Sequence, residues 1–285
     1  MILDSHSRIR GLGELNQLGP IIDKAAAGSG ALCSFCGPDC PLWSVRFDQT
    51  VLRRYFSRKG ILAAQRRSLA RRHRSIYAHF HAWTDEPVLT DSSKNLLWIE
   101  RALRPDYVWR NMDPMLIFLT RDGRAVVNAR LRKHADLTAR AAATEWADRI
   151  RLTDRLFSRF PRERALQISY ELLAREPEAT MASVCDFLGV DFEPRMLRYW
   201  ENEHHVVRGN QWLIESCRRH VRGGGNGEKA HQPKTWTGRG SENWHERETP
   251  GIRFDERWRE ELSAENLAVF DSVAGDLNRS LGYSR

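Results

Sequence analysis

Three times along this chain a short apolar run passes through a polar turn into a pattern of helical spacing, and this repeated order constrains the fold more than any other feature. Units of this kind pair their strands in parallel, because a crossover helix returns the chain to the same end of the sheet. The first unit runs Pro87-Val88-Leu89-Thr90-Asp91-Ser92-Ser93-Lys94 and continues helically from Asn95 to Leu103. The second is Pro114 to Thr120, the turn Arg121-Asp122-Gly123-Arg124, then Ala125 to His134. The third is Ala165-Leu166-Gln167-Ile168-Ser169-Tyr170, followed by a helix from about Pro177 to Leu188, where proline suits the first turn. The reading is an α/β fold. Ligands in such folds gather at the carboxyl ends of the strands, so Lys94, Arg121 and Tyr170 are expected on one rim.

The 285 residues, 41% of them hydrophobic, suffice for one sizeable core, and we read a single domain over 1–285. A formal net charge of +8 predicts attraction for anions: nucleic acid, phosphorylated or sulfated cofactors, or acidic headgroups. No run approaches the roughly 18 apolar residues of a membrane span, and Met1 to Arg10 has no apolar signal region. A soluble cytoplasmic protein is expected. Between Cys40 and Pro87 lies a basic helical region that includes Arg66 to Arg74; its charge runs all round rather than along one stripe, which favours a solvated face over an acceptor or nucleic-acid patch. From His220 to Gly251 the chain is rich in glycine and polar residues, with Trp236 and Trp244 and no apolar period, and reads as a mobile loop or lid. Helical periodicity returns from Phe254 to Leu281.

The five cysteines are an odd count, and three of them cluster in Cys33-Ser-Phe-Cys36-Gly-Pro-Asp-Cys40, so reduced thiols are expected. Zinc would need a fourth ligand, and no second pair follows at finger or ribbon spacing, with Cys185 and Cys217 distant. The expectation is therefore a compact turn with buried thiols and no metal. Arg121-Asp122-Gly123 lies between an apolar strand and a helix, where backbone N–H groups and the arginine fork can converge on one anion. An Arg–Asp salt bridge capping a turn is the competing reading.

The segment Leu119-Thr120-Arg121-Asp122-Gly123-Arg124-Ala125-Val126-Val127-Asn128 resembles the 3′-phosphate-binding segment of sulfotransferases that use 3′-phosphoadenosine 5′-phosphosulfate (PAPS). Other segments follow in that family's order. Leu3-Asp4-Ser5-His6 through Gly11-Leu12-Gly13-Glu14 resembles the stretch after its first helix, and Asp91-Ser92-Ser93-Lys94 its second strand and turn. Ser169-Tyr170-Glu171-Leu172-Leu173, with Pro177 to Thr180 and Cys185 to Val190, is similar to the tyrosine-containing strand and following helix of bacterial members. His204-His205 with Gly209-Asn210, and Ile252 to Arg259, resemble the closing segment.

The resemblance implies a P-loop-like three-layer parallel sheet flanked by helices, with PAPS as donor and a hydroxyl or amine acceptor. It implies that Arg121 binds the 3′-phosphate, with Tyr170 as a second contact, Gly209 and Asn210 completing the nucleotide pocket, and Arg208 as a further candidate. By likeness to the tyrosine-sulfating branch, Glu14 is the base and Lys94 stands beside the transferring group. His204 and His205 are a reserve base.

Two departures stand out. The family opens with a strand and an Arg-Ser-Gly-Thr-Thr type of loop for the 5′-phosphosulfate, whereas Met1 to His6 resembles the end of the helix that follows; the first strand is expected to be missing, with translation starting upstream. Ala129 stands where the family has a serine on the 3′-phosphate, with Asn128 and Lys133 as candidate substitutes. The rival readings are an inactive nucleotide-binding module and a basic nucleic-acid-binding protein using Arg66 to Arg74; a hydroxyl-bearing acceptor is the expected partner, with no specific nucleic acid.

Overall fold

The computed structural model describes residues 1–57, 75–103, 112–223 and 251–283. In chain order these form β1 (Ile9–Gly13), α1 (Leu18–Ala26), α2 (Gln49–Phe56), α3 (Ile76–Trp83), β2 (Val88–Asp91), α4 (Leu96–Ala102), β3 (Leu116–Thr120) and α5 (Gly123–Lys133). There follow α6 (Ala139–Ser158), β4 (Ala165–Ser169), α7 (Tyr170–Arg175), α8 (Pro177–Leu188), α9 (Gln211–Val221), α10 (Trp258–Glu261) and α11 (Ala264–Ser280). Local chemistry accounts for many of the boundaries. Side chains of Asp48, Ser75, Asn95, Asp122, Thr138, Ser169, Asn210 and Ser263 cap the helices that follow them, each accepting an N–H that the first turn leaves unpaired. Pro177 opens α8, and Gly189, at φ +70°, closes it in the left-handed region.

The described residues divide into two compact units, 1–114 with 190–230 and 115–189 with 231–285. In the first, β1 and β2 pair in parallel, Ile9 opposite Val88 and Gly13 opposite Asp91, with an irregularity between Gly11 and Gly13. Ile9, Leu12, Leu15, Leu18 and Ile22 are buried there, as is an aromatic group in which Trp43 and Phe47 lie 4.8 Å apart and Phe47 and Phe80 lie 5.1 Å apart. In the second unit β3 and β4 pair in parallel from Leu116 opposite Ala165 to Thr120 opposite Ser169. Its core joins Val127 of α5, Ala142, Ala143, Trp146, Ala147 and Ile150 of α6, and Phe270 and Ala274 of α11. The alanine-rich face of α6 gives close approach to its neighbours. Gly123 sits against that core: an added Cβ would lie 2.7 Å from Phe270 Cζ and 2.8 Å from the Trp146 ring. Gly123→Ala is therefore expected to lower stability by about 1–3 kcal/mol through overpacking, read as a fall in the calorimetric thermal midpoint.

All three strand–turn–helix units of the sequence are present, and each sheet is a small parallel pair. Several expectations need correction. Ile9–Gly13 is a strand that the sequence reading did not mark. Tyr170 begins α7 rather than ending β4, because the Ser169 hydroxyl accepts the Leu172 N–H and turns the chain into a helix. His220 and Val221 belong to the last turn of α9, not to a loop; 224–250, which holds most of the expected lid, lies outside the described residues, as does the basic run Arg66 to Arg74. Among the described residues no helix is long and apolar enough to cross a membrane.

Candidate functional site

In the first unit the carboxyl ends of β1 and β2 lead directly into the two residues expected to do chemistry. Lys94 Nζ lies 2.5 Å from Glu14 Oε1, forming an ion pair whose glutamate is mostly covered (21% exposed) and whose lysine is mostly open (68%). The backbone around them is tightly held. Ser92 N donates to Gly13 O at 2.9 Å, Asn16 N to Ser93 Oγ at 3.0 Å and Glu14 N to Arg208 O at 3.2 Å. Gly13 sits at φ +81°, and a Cβ there would come within 2.7 Å of Arg208 O, so the crossing of these two chains requires glycine.

Asp91, which the sequence analysis did not mark as a site residue, organises this turn. Its Oδ1 accepts Ser93 N at 2.9 Å, Ser93 Oγ at 2.6 Å and Leu15 N at 3.3 Å. Its Oδ2 accepts Tyr77 Oη at 2.7 Å and Trp98 Nε1 at 2.8 Å. The only hint of this was the position of Asp91 at a strand end before two serines.

Both histidine rings face protein groups. His204 is fully buried, with Nδ1 2.8 Å from Asp4 Oδ2 and Nε2 2.7 Å from Tyr199 O. His205 Nδ1 faces two thiols, Cys36 Sγ at 3.1 Å and Cys40 Sγ at 3.5 Å. The thiols perturb one another. A hydrogen bond with Cys40, added to burial, pushes the Cys33 thiol far up, and burial with the charge of Cys40 pushes Cys36 up. Cys40 is drawn down by its hydrogen bonds with Cys33 and His205, against burial. Of the expected nucleotide contacts in this unit, Asn210 uses its side chain to cap α9, accepting Leu213 N, while Gly209 precedes it and Arg208 is exposed.

In the second unit Arg121 leaves the carboxyl end of β3 with its guanidinium 4.4 Å from the centre of the Tyr170 ring. Its Nη2 donates to Asp255 Oδ2 at 3.0 Å, while its Nε is buried and finds no hydrogen-bond partner among the described residues. Tyr170 donates its hydroxyl to Arg253 O, and burial raises its phenol above the ordinary range against the lowering charge of Arg121. Arg257 Nε and Nη2 reach Asp255 at 2.8 and 2.9 Å. Burial opposes the charge on Asp255, yet Arg257 and Arg121 outweigh it and bring the carboxyl down to about 2. Beside them Asn128 Nδ2 donates to Glu261 Oε2 at 2.6 Å, and Arg132 Nε lies 3.6 Å from the same oxygen. Lys133 is exposed at the end of α5.

The expected convergence of helix-start amides on an anion is not what the structure shows. Asp122 N donates to Glu171 Oε1 at 2.9 Å, Gly123 N to Asn278 Oδ1 at 2.8 Å and Arg124 N to Asp122 Oδ1 at 2.9 Å. The competing salt bridge falls on Arg124, which binds Asp122 through Nε and Nη2 and lies 4.1 Å from the centre of the Trp258 ring. Arg121, with Nη2 on Asp255, keeps its Nε without a partner among the described residues. A cavity of about 380 Å³ is lined among others by Arg124, Ser169, Glu171, Arg175, Tyr283 and Asp255, the carboxylate that accepts from Arg121. Arg257 and Arg132, which complete the basic group, were missed because no spacing signal in the sequence links α5 to the segment before α10.

 The link is spatial: Arg121 and Asp255 stand 134 residues apart, and only the fold brings them together.

A family model described as the sulfotransferase family matches residues 1–194. Among solved structures the chain is similar to the "Sulfotransferase Domain from the Curacin Biosynthetic Pathway", at 18% identity and a TM-score of 0.55 over 97% of this chain and 90% of that one. It is also similar to the "Sulfotransferase Domain from the Synechococcus PCC 7002 Olefin Synthase", at 16% identity and a TM-score of 0.50 over 98% and 97% of the two chains. At these identities the likeness speaks to the fold. No curated protein matches. With the family model spanning well over half of its length, the chain belongs to the sulfotransferase family.

Proposed function

We propose that the protein transfers a sulfuryl group from PAPS to a hydroxyl or amine acceptor, with Arg121 and Tyr170 holding the 3′-phosphate of the donor and Glu14 and Lys94 serving the transfer. The observation that carries this reading is the Arg121 side chain. It stands at the carboxyl end of a parallel strand, rests on an aromatic ring and keeps a buried Nε–H without a partner among the described residues. A planar fork with a donor to spare suits a tetrahedral oxyanion. Asn128, adjacent to Ala129, and Lys133 are the further candidates for that phosphate, and Arg208, Gly209 and Asn210 those for the rest of the nucleotide. A P-loop-like three-layer arrangement of the sheet belongs to the same proposal.

In the reaction the acceptor oxygen or nitrogen forms a bond to sulfur as the bond from sulfur to the 5′-phosphate oxygen breaks, and adenosine 3′,5′-bisphosphate departs. By analogy with phosphoryl transfer the transition state is loose and in line, so placement and charge neutralisation matter more than a strong nucleophile. Glu14 takes the proton of the acceptor, and Lys94 stabilises charge on the sulfuryl or bridging oxygens.

Calorimetric titration with adenosine 3′,5′-bisphosphate tests the binding half of this reading. Arg121→Ala is expected to weaken affinity at least about tenfold, because a charge-assisted fork is lost. Unchanged affinity would remove Arg121 from the site. Transfer of labelled sulfate from PAPS to acceptors in a cell extract tests the other half, and binding without transfer would favour the inactive nucleotide-binding module.

A further inference from the structure

We propose that Cys33, Cys36, Cys40 and His205 form a closed, structural zinc site. The four ligand atoms, three Sγ and one imidazole nitrogen, all lie within 4.8 Å of one another. Zinc–sulfur bonds of about 2.3 Å and zinc–nitrogen bonds of about 2.0 Å, set tetrahedrally, place ligand atoms roughly 3.4–3.8 Å apart, so the cluster needs only a small contraction around an ion. Cys36 Sγ and Cys40 Sγ already stand 3.1 and 3.5 Å from His205 Nδ1. The fourth ligand that cysteine spacing failed to supply comes from a histidine 165 residues beyond Cys40.

The surroundings also suit thiolates. Cys36 N donates to Cys33 Sγ at 3.3 Å and Trp43 N to Cys40 Sγ at 3.4 Å, the outer hydrogen bonds that orient ligating sulfurs. Gly37, at φ +89°, lets the chain fold back after Cys36. The histidine side is fixed by Trp43 Nε1 donating to His205 O at 2.6 Å and by Ser34 N donating to Val206 O at 2.8 Å. Three thiols and one imidazole leave no ligand position for water or substrate, which is the arrangement of a structural rather than a catalytic zinc. The ion would fasten 33–43 to 204–208, the segment whose Val207 N donates to Leu12 O and whose Arg208 O accepts Glu14 N. Two stretches far apart in sequence are thereby cross-linked beside the end of β1, and zinc binding contributes to the folding of that unit.

The test is metal analysis of the reduced full chain, purified from cells grown with zinc and without an affinity tag that binds metal. About one zinc per chain is expected, lost in Cys36→Ser and in His205→Ala and kept in Cys185→Ala, whose thiol lies in α8. Cobalt(II) replacing zinc should give the sulfur-to-cobalt charge-transfer and visible bands of a tetrahedral thiolate site. His205→Cys, which restores a ligand, should regain the metal with a shifted cobalt spectrum, so misfolding of the alanine variant cannot mimic the result. Chelation should lower the thermal midpoint of the wild type and leave that of Cys36→Ser unchanged. A wild-type chain that retains no zinc and gives no cobalt band, or one whose three thiols are paired or alkylated equally fast with and without zinc, overturns the proposal.

Discussion

Glu14→Gln should lower kcat by about 10²–10⁴-fold while leaving the affinity for adenosine 3′,5′-bisphosphate largely intact. The substitution keeps the size of the side chain and an oxygen for Lys94, so the placement of Lys94 is preserved and only the capacity to take a proton is removed. The backbone of Glu14 is held independently, its N–H by Arg208 O and its carbonyl by Gln17 N, which confines the change to the carboxylate. An equal loss of affinity would mean that the residue positions the nucleotide instead of the proton. Lys94→Met makes the reciprocal comparison: it removes the ion pair and the positive charge together, and its loss of kcat reports charge stabilisation with the base still present. If Glu14→Gln retains full kcat over the whole pH range, Glu14 is not the base, and the proton must leave by another route.

Sequence legibility in this chain follows the range over which each interaction acts. The strands β2, β3 and β4 and the helices after them are visible because apolar period and capping residues are local, and α8 begins at Pro177 and ends before Gly189 as its sequence dictates. β1 is hidden because Ile9-Arg10-Gly11-Leu12-Gly13 carries two glycines in five residues, which strand propensity disfavours. Those glycines answer to distant partners. A Cβ on Gly11 would strike Asp4 at 2.7 Å, and one on Gly13 would strike Arg208 O at 2.7 Å. The same limit applies at the sites. The Asp122 cap is readable from adjacent residues, but Glu171 and Asn278, which occupy the neighbouring amides, come from elsewhere in the chain. Arg121 stood out as a candidate anion ligand by its place after a strand, whereas its link to Asp255, which Arg257 also binds, could not be read from the sequence. His205 was read as a reserve base because nothing local links it to Cys36 and Cys40.

Asp91→Asn is expected to cost about 2–4 kcal/mol of stability. The argument is a count of donors against acceptors. As a carboxylate Asp91 accepts from Leu15 N, Ser93 N, Ser93 Oγ, Tyr77 Oη and Trp98 Nε1, and all five are donors. An amide offers one oxygen and one NH₂ group, so one side must face donors with a donor. If the NH₂ turns toward Oδ1, it meets the backbone N–H groups of Leu15 and Ser93, neither of which can reverse. If it turns toward Oδ2, the Tyr77 hydroxyl can rotate to accept, but the Trp98 indole cannot. Either orientation leaves an unsatisfied donor in a half-buried site and removes the charge from the remaining hydrogen bonds. The thermal midpoint should fall on the order of 5–10 °C. Asp85→Asn is the control, because Asp85 is 85% exposed and its pair with Arg46 is open to water; its effect should stay within about 0.5 kcal/mol. Equal midpoints for the two variants would show that the Asp91 network contributes nothing beyond an exposed ion pair. A drop confined to Asp91→Asn would establish that the Asp91 carboxylate holds the turn carrying Lys94 in place.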